Sequence, residues 1–450
     1  MKILLTMNLP YTRVYGGANR SNRSLAEALA ARHHALRVVV PALAALSPIT
    51  HQQLLEELAS EGIRVSSNGE IDVFNLNGVD VHAVIDPSRL CGYLAEQVRE
   101  FKPDWTLVSS EDRSQSLLET ALKVHPSRVI YLAHTPQMFP FGPAGLYPGK
   151  RRTELIGRAT AIVTISRFVA DYIQKWTGFE SFICHPPHYG SGPFPQCGRV
   201  DNGYVLMMNA CAVKGISIFL ALARALPDIQ FAALPGWGTT HAEQTALGAL
   251  PNVILLENRK NLDDVLHRTR ALLMPSLWVE GFGMAVVDAM LRGIPVLASN
   301  YGGLVEAKLG TDYLLPVHPI ERFEDDLDEN MLPVPVVPTQ DIGPWQSALS
   351  GLLSDGALHE RQSAAAHDAA SRFVSGLDVE PLEDFLLRLI AEPKAGHQQF
   401  LRTLKHQGSH GAESDTVRRS EGIADLTPEQ QALLILRLRK NASSRKKTEG

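Results

Sequence analysis

Short apolar runs alternate along the chain with longer stretches whose apolar residues recur at helical spacing. The runs Lys2–Met7, Leu36–Val40, Trp105–Ser109 and Val129–Ala133 have the near-continuous apolar character of strands covered on both faces, and Val79–Val84 reads as a further strand. Between them, Asn19–Arg32 places Leu25, Ala28 and Leu29 on one helical face, and Leu54–Gly62 and Pro87–Lys102 read as further helices. This alternation predicts a parallel sheet flanked by helices for the first half of the chain, closed by a strand at Ala161–Ser166 and a helix at Arg167–Trp176.

From His185 to Gly203 the density of proline and glycine marks a linker between domains. A second strand-and-helix series starts with a strand at Tyr204–Met208 and a helix at Ile216–Ala225, and continues through a strand at Asn252–Leu256. Pro316–Pro344 is proline-rich and acidic and reads as a surface insertion, its charges solvated and without a ligand. Helices are expected at Trp345–Leu353, His359–Phe373 and Pro381–Ile390. The fold class is therefore α/β, with two domains of alternating strands and helices and a C-terminal tail. The boundaries expected are 1–190, a linker at 191–203, a second domain at 204–378, a helix within 379–395, and a tail of linker and short helix at 396–450.

Composition narrows the class of protein. The 450 residues are too many for one core and suit two domains and a tail. Apolar residues at 45% and charged residues at 20% are those of a soluble globular protein, and a net charge of −5 gives no case for nucleic-acid binding. Cys91, Cys184, Cys197 and Cys211 show no metal-ligand spacing and no disulfide framework, which fits a reduced, cytoplasmic setting. The opening segment reads as a first buried strand and not a secretion signal, and no apolar run reaches membrane-spanning length.

The chemistry concentrates in residues 271–299. Ala271–Met274 is a buried strand ended by Pro275, Glu280-Gly281-Phe282-Gly283 is a glycine loop, and Met284–Arg292 is a helix stopped by Gly293 and Pro295. Ligands of open α/β sheets sit at the carboxyl ends of strands, where Glu280 falls, and free amides of a first helical turn favour an anion. Asp288, further along the helix, adds a second carboxylate able to accept hydrogen bonds from hydroxyl groups. An anion joined to a polyol describes a nucleotide sugar.

With its Glu, Gly-Phe-Gly and a second acid eight positions after the first, this stretch resembles the retaining family-4 glycosyltransferases of the GT-B fold. The family's second Glu is Asp288 here. The resemblance implies two Rossmann-like domains facing across a cleft, the first on the acceptor side and the second binding the nucleotide sugar, with the last helix crossing back to the first domain. It assigns Glu280 and the amides of Gly281, Phe282 and Gly283 to the donor sugar, and Asp288 to the ribose. Lys214 matches the family's lysine facing the diphosphate, while Asn209 stands where the family usually has Arg. Gly16 and Gly17, between the first strand and its helix, correspond to the loop that touches the diphosphate from the other domain; read alone, they are equally a turn. Arg20 and Arg23 open that helix, and Arg23 reads as part of a solvated face.

His134 follows the strand Val129–Ala133 and matches a family histidine that faces donor sugar and acceptor, where its imidazole can donate to a hydroxyl. Phe139-Pro140-Phe141-Gly142-Pro143 suits either an acceptor wall or plain packing, and Tyr301-Gly302-Gly303 with Glu306 resembles the family's Gly-Gly-x-x-Glu or is a tight turn. Catalytic expectations thus fall on His134, Lys214 and Glu280. Stabilising the departing diphosphate with Lys214 needs neither metal nor other cofactor; the nucleotide-diphosphate sugar is itself the donor substrate. The acceptor, a natural product or glycan, is not specified by the sequence. A nucleotide-sugar epimerase of the same fold and an inactive docking or scaffold subunit are the rival readings.

In the tail, Thr427 caps a short helix with Pro428 at its first position, and Leu433, Leu434, Leu436 and Leu438 form apolar pairs that such a helix cannot bury by itself. The segment resembles the lead-in before condensation domains of nonribosomal peptide synthetases, which would make a modular synthase its partner. The alternative is a helix folded onto its own catalytic body.

Overall fold

The computed structural model describes residues 1–12, 16–45, 47–190, 192–257 and 261–391. The tail helix and its leucines lie outside the described residues. The chain divides into two compact units, residues 1–188 with the segment from Asp378, and residues 189–377.

The first unit is built on nine strands: β1 Lys2–Thr6, β2 Ala35–Pro41, β3 Ser66–Ser67, β4 Ile71–Leu76, β5 Val79–Val84, β6 Trp105–Ser109, β7 Val129–Ala133, β8 Ala161–Thr164 and β9 Phe182–Ile183. Their order across the sheet is β3-β4-β5-β2-β1-β6-β7-β8-β9. Pairing is parallel from β5 through β9, as the apolar runs predict. At the other edge β4 runs antiparallel to β5, and β3 to β4, which departs from the all-parallel expectation. The cause is local: Asn77 and Gly78 both adopt positive φ, 51° and 83°, and close a two-residue hairpin. Helices at Ser116–Val124 and Lys150–Ile156 also went unpredicted.

Alternation along the strands sends side chains to two cores. Ile3, Leu5, Val38, Val40 and Leu107 lie in one, and Leu4, Val39, Val108 and Tyr131 in the other. The helix Glu380–Ala391 packs on the first of these faces, with Leu382 and Leu386 buried in the core. Trp105 Nε1 donates to the Leu386 carbonyl at 3.2 Å, and Phe385 stacks on Phe182 with ring centroids 4.5 Å apart. Arg32 and His34 both pair with Glu383 at the start of this helix.

The second unit has six parallel strands: β10 Tyr204–Met208, β11 Phe231–Leu234, β12 Val253–Leu255, β13 Thr269–Met274, β14 Val296–Ser299 and β15 Leu314–Leu315. Their order is β12-β11-β10-β13-β14-β15, so the chain winds outward in both directions from the pair β10 and β13. Cys197 and Gly198, within the stretch read as a linker, are tied to this unit through amides that donate to the Arg292 carbonyl at 2.9 and 3.2 Å. The acidic insertion contains a hairpin, β16 Phe323–Leu327 paired antiparallel with β17 Pro333–Pro335.

Leu386 has 0% of its surface exposed. Leu386→Ala is therefore expected to cost about 2–5 kcal/mol of stability in the first unit, read from the denaturant midpoint. A midpoint equal to that of the parent would contradict the packing described.

Candidate functional site

The carboxyl ends of β10 and β13, adjacent at the centre of the second sheet, bring candidate residues together. After β10 the chain makes a 3₁₀ turn at Ala212–Lys214 and passes through Gly215 with φ of 85°. A Cβ on Gly215 would overlap the Pro275 carbonyl, so only glycine lets this turn lie against the end of β13. That contact brings Lys214 to Glu280: Nζ donates to Oε1 at 2.6 Å, and the two side chains are only 15% and 13% exposed. Ser276 Oγ and Trp278 Nε1 donate to the same carboxylate oxygen, the latter at 3.1 Å. The Lys214 ammonium also lies 4.7 Å from the Trp278 ring centroid and 5.7 Å from that of Trp237. Trp237 comes from the loop after β11.

The glycine loop is shaped by backbone contact. Gly283 caps the helix Met284–Met290 with φ of 112°, and the Gly303 amide donates to the Glu280 carbonyl at 2.8 Å. A Cβ on Gly303 would collide with the Gly281 and Phe282 backbone, so the Gly302-Gly303 turn is a support built directly under Glu280 and Gly281. Phe282 is buried, its ring 5.7 Å from that of Phe373, so it anchors the loop from below. Asp288 is buried on the helix, 3% exposed, and its carbonyl accepts from Arg292 at 2.8 Å.

Asn209 adopts a left-handed φ of 52°. Its Oδ1 accepts from the Gly238 amide at 3.3 Å, while its buried Nδ2 has no hydrogen-bond partner among the described residues. Lys214, Glu280, Asn209, Gly281, Phe282, Gly283 and Asp288 thus belong to the second unit, and His134, Gly16 and Gly17 to the first.

In the first unit, Gly16 precedes the helix Gly17–Ala31, in which Gly17 is the first residue. Arg23 pairs with Glu27 one turn on at 2.8 Å. His134 lies at the carboxyl end of β7, 3% exposed. Its Nδ1 is 3.1 Å from the Leu132 carbonyl, which can only accept, so this nitrogen carries the proton. Burial holds the imidazole neutral, its pKa pushed down to about 4. Nε2 then offers a lone pair, and the expected donation to a hydroxyl becomes acceptance from one. A small pocket beside it is lined by Ser21, Thr164, Cys184 and His185.

Glu111, at the end of β6, was missed by the sequence reading although it sits at a strand end as His134 does. It accepts from Ser110 Oγ at 3.2 Å, and Ser110 Oγ in turn accepts from the His134 amide at 3.0 Å. Desolvation pushes its carboxyl up to about 7, against the hydrogen bonds from Thr135 and Ser110 and the attraction of Arg113. Phe139 and Phe141, by contrast, stack 5.3 Å apart in the core and form no open wall. The contacts that Ser276, Trp278 and Trp237 make with Lys214 and Glu280 emerged only from the structure.

The family described as Glycosyltransferase Family 4 matches residues 15–183, and that described as Glycosyl transferases group 1 matches residues 213–331. An exopolysaccharide phosphotransferase of Streptomyces coelicolor is 24% identical over 320 residues, 66% of this chain but only 30% of that protein's length. Among solved structures, Anabaena HepE in complex with UDP-glucose superposes with a TM-score of 0.56 at 18% identity, covering 90% of this chain and 100% of that one. The catalytic domain of starch synthase IV from Arabidopsis thaliana, bound to ADP and acarbose, gives 0.58 at 12% identity, covering 87% and 99%. At these identities the likeness carries the fold, which is GT-B.

Two opposite pH dependences are expected from the first-unit pair. His134 binds its proton only near pH 4 in the folded chain and near 6.5 when unfolded, so its contribution to stability, on the order of 3 kcal/mol, is lost as pH falls through that window. Glu111, raised from 4.5 to about 7, favours the folded state at low pH and loses that contribution as pH rises between those values. Melting temperatures of Glu111→Gln should therefore rise with pH from about 4 to 7, and those of His134→Gln should fall, relative to the parent. Identical pH profiles for the two variants would rule out these assignments.

Proposed function

The chain belongs to the family-4 glycosyltransferases of the GT-B fold, and from that premise we propose that it moves a sugar from a nucleotide-diphosphate donor to an acceptor hydroxyl with retention of configuration and without a metal. The observation that carries this reading is the Lys214–Glu280 pair at the carboxyl ends of β10 and β13. An ammonium and a carboxylate 2.6 Å apart match the two halves of the donor: the cation suits a diphosphate, and the carboxylate suits sugar hydroxyls. In the absence of donor they neutralise each other. Arrival of a diphosphate gives Lys214 a second anion and frees Glu280 to accept hydrogen bonds from the sugar.

In the reaction the bond between the anomeric carbon and the diphosphate oxygen breaks, and the acceptor oxygen bonds to that carbon on the same face. The hydroxyl proton passes to the departing phosphate oxygen, so no protein base is consumed. Lys214 offsets the charge that develops on the diphosphate, and Asn209 Nδ2, which has no hydrogen-bond partner among the described residues, supplies a neutral donor where the family usually has an arginine. Asp288 stands for the family's ribose-binding Glu. Gly16 and Gly17 allow backbone to approach a phosphate in the first unit, and His134 Nε2 accepts a hydrogen bond from a hydroxyl. The UDP-glucose and ADP bound by the fold's relatives make nucleoside diphosphates the first donors to try.

A direct test is incubation with UDP-, GDP- and ADP-sugars and a panel of free saccharide acceptors, following diphosphate release and the anomeric configuration of the product by NMR. Inverted product would overturn retention. Altered sugar nucleotide formed without acceptor would favour an epimerase.

Lys214→Ala should lower turnover by about 2–4 kcal/mol of transition-state stabilisation, roughly 30-fold to a thousandfold, in a chain that still folds but melts at a lower temperature because Glu280 loses its partner. Full turnover in the folded variant would remove Lys214 from the mechanism. Glu280→Gln is expected to slow transfer while leaving affinity for the bare nucleoside diphosphate within a few-fold, because the carboxylate is assigned to the sugar. Calorimetric titration beside initial rates distinguishes this from the reverse pattern.

A further inference from the structure

Trp237 is 37% exposed, yet it stands at the centre of the second-unit site. Its ring centroid lies 5.5 Å from that of Trp278, and the Lys214 ammonium is 5.7 and 4.7 Å from the two centroids, so both indoles cover one side of the cation. Its own placement is tightly determined. A Cβ on Gly236 would overlap Asn209 Oδ1, and the Gly238 amide donates to that same oxygen, so both neighbours of Trp237 are pressed against Asn209.

The next residues of the loop are held by the acidic hairpin. Asn330 Nδ2 donates to the Thr239 carbonyl at 3.4 Å, and the Glu329 carboxylate accepts from the His241 amide. The hairpin turn is organised by Asp328, whose Oδ1 accepts from the Asn330 and Leu332 amides at 2.8 and 2.9 Å. Two acidic residues of a run read as merely solvated are therefore structural, and they act on the loop that carries Trp237.

We propose that Trp237 and Trp278 form an aromatic collar that keeps water and salt from the Lys214 ammonium and so strengthens its hold on a diphosphate, with the hairpin β16–β17 as the element that positions Trp237. The proposal rests on the reading of Lys214 given above and deepens it. An ammonium is strongly hydrated in open solvent, and dissolved salt screens its attraction for phosphate. Indole faces attract the cation through the ring quadrupole but accept no proton in place of phosphate oxygens. An ammonium covered on one side by both rings stays partly dehydrated and interacts with an arriving anion at lower effective dielectric. Trp237 is then a binding residue for the diphosphate, and Glu329 and Asn330 are positioning residues.

The test is calorimetric titration of the full chain with UDP, GDP and ADP, continued with whichever binds best, at low and at near-physiological salt. Trp237→Ala should weaken binding about tenfold at the higher salt and less at low salt, whereas Trp237→Phe should stay close to the parent. The double variant Glu329→Ala with Asn330→Ala should shift in the same direction as Trp237→Ala, raising KM for donor with little change in kcat, and Glu329→Gln, which keeps an accepting oxygen, should not. Equal weakening by Trp237→Phe and Trp237→Ala, or no added salt dependence in Trp237→Ala, would overturn the collar. Parent-like binding by the double variant would overturn the role of the hairpin. Failure of the underlying reading shows differently: Lys214→Ala would then bind the nucleoside diphosphate as the parent does, or the parent would bind none of the three.

Discussion

The candidate site of the second unit is organised around the ion pair between Lys214 and Glu280. Two side chains about 85% removed from solvent could not hold opposite charges there separately, since an unpaired charge at that depth is costly. Each part of the surrounding structure serves to bring them together or keep them paired. Gly215 lets the turn after β10 touch the end of β13, the Gly302-Gly303 turn supports the Glu280 backbone, and Ser276 and Trp278 occupy the same carboxylate oxygen as Lys214. The order of the sheet makes this economical, because β10 and β13 are neighbours although some sixty residues separate them in sequence.

The first unit solves a different problem at the same kind of strand end. His134 and Glu111 are joined through Ser110, and burial pushes both toward their neutral forms. A neutral imidazole and a carboxyl that titrates near neutrality make a polar surface suited to uncharged hydroxyl groups. The second unit thus presents a charged pair at its strand ends and the first presents neutral hydrogen-bonding groups.

Asn209 shows how a departure from the family pattern is absorbed. Where the resemblance to the family expects an arginine and a second cation, Asn209 brings an oxygen that fixes the Trp237 loop and an amide nitrogen with no hydrogen-bond partner among the described residues. Aromatic faces around the remaining cation are a physical alternative to a second positive charge, because excluding water raises the effect of the one that is present.

Sequence alone determined the alternation of strands and helices, the two-unit α/β class and the loop from Glu280 to Gly283, because these depend on local periodicity and on glycine and proline at fixed offsets. It also contains the Asn77-Gly78 hairpin signal, which the stronger parallel pattern outweighs. It did not determine which side chains meet. That Trp237, Ser276 and Trp278 surround Lys214 and Glu280, that Glu111 stands beside His134, and that Glu329 and Asn330 hold the loop after β11 are facts of tertiary structure. The physical reason is that strand order and loop packing bring together residues tens of positions apart, and neither leaves a periodic trace in the chain.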